Sequence, residues 1–349
     1  MPDLLFEARS TATPSPSPAF PAAAATPIAE AKGVAYFDLP CRSVLNRCTS
    51  SRMPFEWTIN PYRGCEFACT YCYARYTHEF MGFDDPLDFE RKIFVKRDAP
   101  RTLLRDLTSS RLEGRSIAIG TATDPYQPAE RTYKVTRGIL ETLARCRGLR
   151  LSLTTKSALV VRDLDLLGAI AARSRLTINV SVTTLDRRLA RRLEPRATTP
   201  EKRFEAIETL RAAGIAAGVF LMPVLPGITD SESSLEAVIA RAARAGALYL
   251  ASQVLFLTSS SRLRFFAFLR QDLPDRYRAY RDIYGASMEH RESYRRRIHD
   301  LVDRLRRRYG LVSSMREDGE ERPNVAAAPG GTAMAGAGGA GGEQMPLVL

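Results

Sequence analysis

Three of the six cysteines, Cys65, Cys69 and Cys72, fall within eight residues of the stretch NPYRGCEFACTYCYARYTHEF, as C-x-x-x-C-x-x-C. Thiolates at this spacing surround one small inorganic centre and bring no fourth ligand of their own, and thiolates are the ligands that hold iron–sulfur clusters. One iron of a cubane cluster would then stay open to a small molecule. The alternative is a structural zinc completed by His78, Cys41 or Cys48. Such sites usually pair their cysteines as two C-x-x-C knuckles or join Cys-Cys to His-His, and neither pattern occurs here. A basic nucleic-acid-binding protein with zinc at these cysteines is the alternative to the cluster.

The residues that must position this loop alternate between strand-like and helix-like runs, which argues for an α/β fold with a parallel sheet. Strands are expected at 56–60, 116–120, 149–155, 176–182, 215–224 and 247–257. Helices are expected at 70–81, 98–112, 131–147, 163–173, 199–214 and 231–245, the fifth opened by Thr199-Pro200 and closed by Gly214. Such a series of strand–helix repeats fits an incomplete (β/α)6 TIM-like barrel, in which reactive groups collect at the C-terminal ends of the strands. The cysteine loop follows the first of them.

C-x-x-x-C-x-aromatic-C, with Tyr71 before the last cysteine, resembles the signature of radical S-adenosylmethionine (radical SAM) enzymes, and NPYRGCEFACTYCYAR and GTATDPYQPAE are similar to its spore photoproduct lyase-like branch. The resemblance implies an open six-stranded barrel over 56–258 and a 4Fe-4S cluster on Cys65, Cys69 and Cys72, with S-adenosyl-L-methionine chelating the fourth iron. It puts Tyr71 beside the cofactor's adenine and Thr123 and Asp124 near its methionine part. It implies that Lys156, in TTKS, pairs with the cofactor's carboxylate and that Ser181 meets a ribose hydroxyl. Glu194 and Arg203, in EPRATTPEKR, stand as supporting groups. The expected chemistry is reductive cleavage to a 5'-deoxyadenosyl radical, which abstracts hydrogen from a substrate. Tyr62, Tyr73, Tyr76 and Tyr126 are candidates for stacking or hydrogen relay. The chain departs from the lyase at Thr121, where the lyase has a cysteine that returns hydrogen to the product; a hydroxyl is a far poorer donor.

The chain has 349 residues, 45% of them hydrophobic and 26% charged, enough for a well-buried core. Lys+Arg 51 against Asp+Glu 39 leaves a net charge of +12, which suits a nucleic-acid substrate or an acidic electron donor of flavodoxin or ferredoxin type. Cys41, Cys48 and Cys146 are scattered and suggest no disulfide framework, so a reducing, cytoplasmic setting is expected. Residues 1–32 read as a disordered Ala/Pro-rich tail without a signal-peptide pattern, 33–55 as a lead-in, 259–312 as a basic helical extension and 313–349 as a disordered Gly/Ala-rich tail. The uncharged run 212–229 carries Pro223, Pro226 and Gly227 and reads as a buried strand and turn, not a membrane span. In SYRRRIHDLVDRLRRRYG, Ile298, Leu301, Val302 and Leu305 form an apolar stripe suited to covering the open side of the sheet, with arginines on the other faces.

Overall fold

The computed structural model describes residues 25–314, except 51–52, 110–111, 258 and 286–287. Eleven strands are found among them: β1 (Thr26–Ala31), β2 (Val34–Asp38), β3 (Leu45–Arg47), β4 (Trp57–Ile59), β5 (Tyr62–Arg63), β6 (Lys92–Val95), β7 (Ser116–Ile119), β8 (Arg150–Thr155), β9 (Arg175–Ser181), β10 (Ala216–Val224) and β11 (Leu250–Val254). Seven form one sheet in the order β11-β10-β9-β8-β7-β4-β3. From β4 to β11 every pairing is parallel, and β3 is antiparallel on β4. The strands of the parallel part read as apolar runs because helices cover them: Ile59, Ile117, Leu153, Ile178 and Val219 are buried in one continuous core. The sheet is open, with β3 and β11 at its edges, and no closed barrel forms among the described residues.

Each parallel strand expected from the pattern is present, generally trimmed at its ends, the last to Leu250–Val254. The helices differ more. Residues 70–81 form a 3-10 turn (Tyr73–Arg75) and one α turn (Tyr76–Glu79), not a continuous helix. The stretch 131–147 is broken at Lys134, whose φ is +50, into Glu130–Tyr133 and Val135–Leu143. The second piece is capped by the Glu130 carboxylate, which accepts from Thr136 N at 2.8 Å and Arg137 N at 3.1 Å. Sequence periodicity missed the helix Arg187–Leu193, started by the Asp186 side chain.

A second sheet, β1-β2-β6-β5, corrects the reading of the N-terminal part. Composition places Thr26–Ala31 inside a disordered tail, yet it pairs antiparallel with β2 through a two-residue turn at Lys32-Gly33, φ +52 and +71. β1 is almost wholly exposed, so main-chain hydrogen bonds hold it and no apolar pattern marks it. Residues 1–24 and 315–349 lie outside the described residues.

The C-terminal extension divides into helices Ser259–Asp272, Pro274–Gly285 and Met288–Arg308. The apolar stripe of the last, Ile298, Val302 and Leu305, is buried against β11 and the helix Glu232–Arg244, as its spacing suggests. The first two helices pack elsewhere: Phe265, Phe268 and Tyr280 share a core with Cys65, Cys69 and Tyr71. No helix among the described residues is long and apolar enough to cross a membrane.

Candidate active site

The cysteine loop leaves the C-terminal end of β4 and is pinned from several sides. Gly64 has φ +80, and a Cβ there would lie 2.7 Å from Lys92 O and 2.9 Å from Phe89 O, so only glycine lets the chain leave β5 so close to that backbone. Cys65 N donates to Phe89 O at 2.9 Å and Thr70 N to Leu193 O at 2.9 Å. Arg75, fully buried, donates to Cys69 O at 2.8 Å, to Pro86 O at 2.6 Å and to Glu90 at 2.5 Å.

All three cysteines are free thiols; Cys65 and Cys69 are buried and Cys72 is half-buried. Burial pushes each thiol up, and each of the others adds to the rise at Cys65, which places the three sulfurs in one neighbourhood. Arg75 and Lys156 act against the rise at Cys72. Among the described residues no three His, Cys, Asp or Glu side chains converge as ligands of a single ion do. Two of the three candidates for a fourth zinc ligand, His78 and Cys41, are engaged elsewhere. His78 Nε2 lies 3.0 Å from Lys92 O, its ring packs among Phe83, Phe89 and Phe94, and burial lowers its pKa to about 4. The Cys41 thiol donates to Asp98 at 3.3 Å.

Beneath the cysteines lies a polar cluster built from the ends of β8 and β9, the end of the helix Arg187–Leu193 and the helix Pro200–Ala212. The Tyr71 hydroxyl donates to Glu194 and lies 3.1 Å from Thr183 Oγ1. Glu194 pairs with Arg203, each side chain 1% exposed, and Arg203 also donates to Ser181 O at 2.8 Å and Thr198 O at 2.7 Å. Burial opposes charge on Glu194, but Arg203 and Lys156 outweigh it and hold the carboxyl below its usual range. Lys156 is the mirror case: burial works against its charge, while Cys69 and Glu194 carry its pKa upward. Its ammonium stands 5.8 Å from the centre of the Tyr71 ring and has no hydrogen-bond or ion-pair partner among the described residues. The Ser181 hydroxyl, at the end of β9, likewise has no side-chain bond there.

The loop after β7 carries Thr123 and Asp124. Gly120, φ +87, lets it turn, since a Cβ would sit 2.6 Å from Pro125 and 2.8 Å from Thr154 O. Asp124 accepts from Thr155 Oγ1 at 2.7 Å, Tyr126 N at 2.9 Å and Lys156 N at 2.7 Å, so its carboxylate ties the β7 and β8 loops together. Burial still raises its pKa. Thr123 donates to Gly64 O at 2.6 Å. Thr121 exchanges hydrogen bonds with the Asn60 side chain, and its carbonyl accepts from Tyr73.

Sequence reasoning missed Gln127 and Glu66. Gln127, fully buried, donates to Gly64 O at 3.1 Å and Thr123 at 2.9 Å, and accepts from Glu66 N at 3.0 Å. Glu66 accepts from Ala129 N at 2.7 Å and Tyr36 at 3.0 Å. The pair clasps the cysteine loop to the β7 loop; the acid after Cys65 and the amide in DPYQP are its only signals in the sequence. Two tyrosines named as relay candidates belong to the packing instead. Tyr62 donates to Glu130 at 2.5 Å and Tyr126 to Asp163 at 3.1 Å, both rings in the core away from the cysteines. Tyr73 and Tyr76 are half-buried beside the loop.

The sequence profile of the Radical SAM superfamily matches residues 59–237. An uncharacterized protein of Mycobacterium tuberculosis is 35% identical over 285 residues, 81% of this chain and 84% of its own length. Another, of Methanocaldococcus jannaschii, is 31% identical over 177 residues, 51% of this chain and 63% of its own. Among solved structures, a spore photoproduct lyase mutant with bound AdoMet and dinucleoside spore photoproduct superposes with a TM-score of 0.58 at 16% identity, covering 78% of this chain and 79% of that one, which is a likeness of fold. The profile spans more than half the chain and covers the strand ends at which the cysteines, Thr123, Lys156 and Ser181 lie, with Glu194 at a helix end among them: the chain is an enzyme and belongs to the radical SAM superfamily.

Proposed function

We propose that residues 56–258 form an open, partial (β/α)6 barrel whose mouth holds a 4Fe-4S cluster on Cys65, Cys69 and Cys72 and S-adenosyl-L-methionine beside it, and that the chain abstracts hydrogen from a substrate bound there. Held by these three thiolates and reduced by an external donor, the cluster would supply one electron to break the sulfonium's carbon–sulfur bond, leaving methionine and a 5'-deoxyadenosyl radical. The observation that carries the reading is the position of Lys156, an uncommitted ammonium at a parallel strand's C-terminal end that shares its surroundings with Cys69 and Glu194.

The donor set fits the cluster. Three free thiols sit in one loop, Arg75 and Lys156 offset the charge they gain on losing protons, and three corners of a cube need not converge on one point as ligands of a single ion do. Lys156 is suited to the cofactor's carboxylate and the Ser181 hydroxyl to its ribose. Tyr71, its hydroxyl fastened to Glu194, offers a ring held in one orientation for the adenine. Thr123 and Asp124 serve by shaping the loop that borders the methionine part. The helices Ser259–Asp272 and Pro274–Gly285 pack on the cysteine loop and limit water access. The basic surface suits an acidic flavodoxin- or ferredoxin-type reductant, and a nucleic-acid substrate is the class that the charge favours.

The test is anaerobic reconstitution with iron and sulfide, followed by metal analysis and assay of 5'-deoxyadenosine, against a Cys65→Ala, Cys69→Ala, Cys72→Ala variant. About four irons per chain, with cleavage in the wild type only, is the expected result. One tightly held zinc and no cleavage overturns the reading.

A further inference from the structure

One cationic pair at the rim of the site has no part in the cofactor contacts above. Arg63 lies on the edge strand β5 opposite Phe94 of β6, and Lys96 follows β6 directly, its backbone N–H donating to Pro61 O at 3.3 Å, so the two residues lie close together across this pairing. Lys96 is 7% exposed and donates to Asn60 O at 2.8 Å, which leaves two of its three N–H groups uncommitted. Arg63 is half-buried and has no hydrogen bond or ion pair among the described residues.

The groups that face the pair offer little counter-charge. Burial, and after it Arg63, lower Lys96 to about 8 against the opposition of Cys41 and Asp98, which are hydrogen-bonded to each other. Beside Arg63 stands the Tyr76 hydroxyl. His78 is neutral beside it. Two like charges held this way destabilise the fold unless an anion joins them. The location is also telling: Asn60, whose carbonyl Lys96 grips, fastens Ala122 N at 2.8 Å and Thr121 at 3.1 Å through its side chain, and Tyr73 closes the same loop.

The geometry points to an oxyanion-binding site formed by Arg63 and Lys96, which takes a phosphate or carboxylate group of the molecule acted on. The guanidinium fork matches either group bidentately, and the ammonium adds a second charge. The assignment rests on the radical SAM reading only in calling that molecule the substrate; anion binding itself needs neither cluster nor cofactor.

Thermal unfolding of the full chain, without cluster, is followed in inorganic phosphate, in acetate and in chloride at matched ionic strength. Phosphate is expected to raise the melting temperature above chloride by a few degrees, in a saturable way, if the group is phosphate-like; acetate does so alone if it is a carboxylate. Arg63→Gln and, separately, Lys96→Met are expected to lose that rise while melting in chloride no lower than wild type, because repulsion is relieved. A wild type indifferent to both anions, variants that keep the rise, or two variants that both fail to fold overturns the site. Cleavage of S-adenosylmethionine without an anion effect sinks the site alone, and an anion effect without cleavage sinks the radical reading alone.

Discussion

Two buried networks in this molecule look alike on paper. In each, a tyrosine hydroxyl rests on a glutamate that an arginine also grips: Tyr71–Glu194–Arg203 under the cysteines, and Tyr62–Glu130–Arg162 behind β7. The second is saturated. Glu130 also caps a helix, and Asp163 takes up Arg162, Arg137 and Tyr126, so every member has a partner within the fold. The first borders Lys156 and the Ser181 hydroxyl, which have none. A saturated network fixes a scaffold, whereas one that ends in uncommitted groups is poised for a ligand.

Glu194→Gln should have the largest effect. It strands the Arg203 charge in the interior, at a cost of about 3–5 kcal/mol, and abolishes cofactor cleavage. Pairing it with Arg203→Met should restore most of the stability without restoring cleavage; denaturant unfolding and 5'-deoxyadenosine assays read the two separately. Recovery of both would make the cluster a scaffold like the other. The same carboxyl gives a pH signature. Its folded pKa lies below the ordinary 4.5, so its stabilisation is present above that value and is lost as pH falls through the folded pKa. Glu194→Gln should lack that acid-sensitive component.

Glu130→Gln should cost about 2 kcal/mol by weakening its cap and its pair with Arg162. Cleavage per folded, cluster-loaded chain should not change. A comparable loss of cleavage would break the distinction between the networks.

What could be read in the sequence follows the range of the forces involved. The cysteine loop, TTKS and DPYQP are local motifs, and the parallel strands are apolar runs, so both were legible. Glu194 and Arg203 were legible through the local motif EPRATTPEKR, in which only the loop 195–199 and the first turn of the helix Pro200–Ala212 separate them. The sheet of β1, β2, β6 and β5 was not, since β1 is exposed and held by its main chain. The resemblance puts Asp124 near the cofactor's methionine part; its bonds within the fold, to Thr155 and Lys156, 31 and 32 residues away, leave no local signal. Gln127 was invisible for the same reason: its partners, Gly64 and Glu66, come from another strand's loop.

Lys156→Met tests the open end of the first network. With no hydrogen bond to lose, and with burial offsetting part of its attraction to Cys69 and Glu194, the substitution should cost about 1 kcal/mol. Affinity for S-adenosylmethionine should fall about ten- to hundred-fold, the worth of one charge-assisted contact. A large stability loss with unchanged affinity would assign Lys156 to the scaffold.

The smallest effects should come from the two tyrosines. Tyr62→Phe removes one buried hydroxyl from a saturated network and should cost about 1 kcal/mol, with cleavage untouched. Tyr71→Phe removes the matching hydroxyl, so a similar loss of stability is expected. Its ring is no longer fastened at the hydroxyl, however, and if that ring bears on the adenine, the change should appear as a raised KM for S-adenosylmethionine at nearly constant kcat. Equal kinetics in the two variants would place the Tyr71 hydroxyl with the scaffold and leave Lys156 and Ser181 as the ligand-facing groups of the cluster.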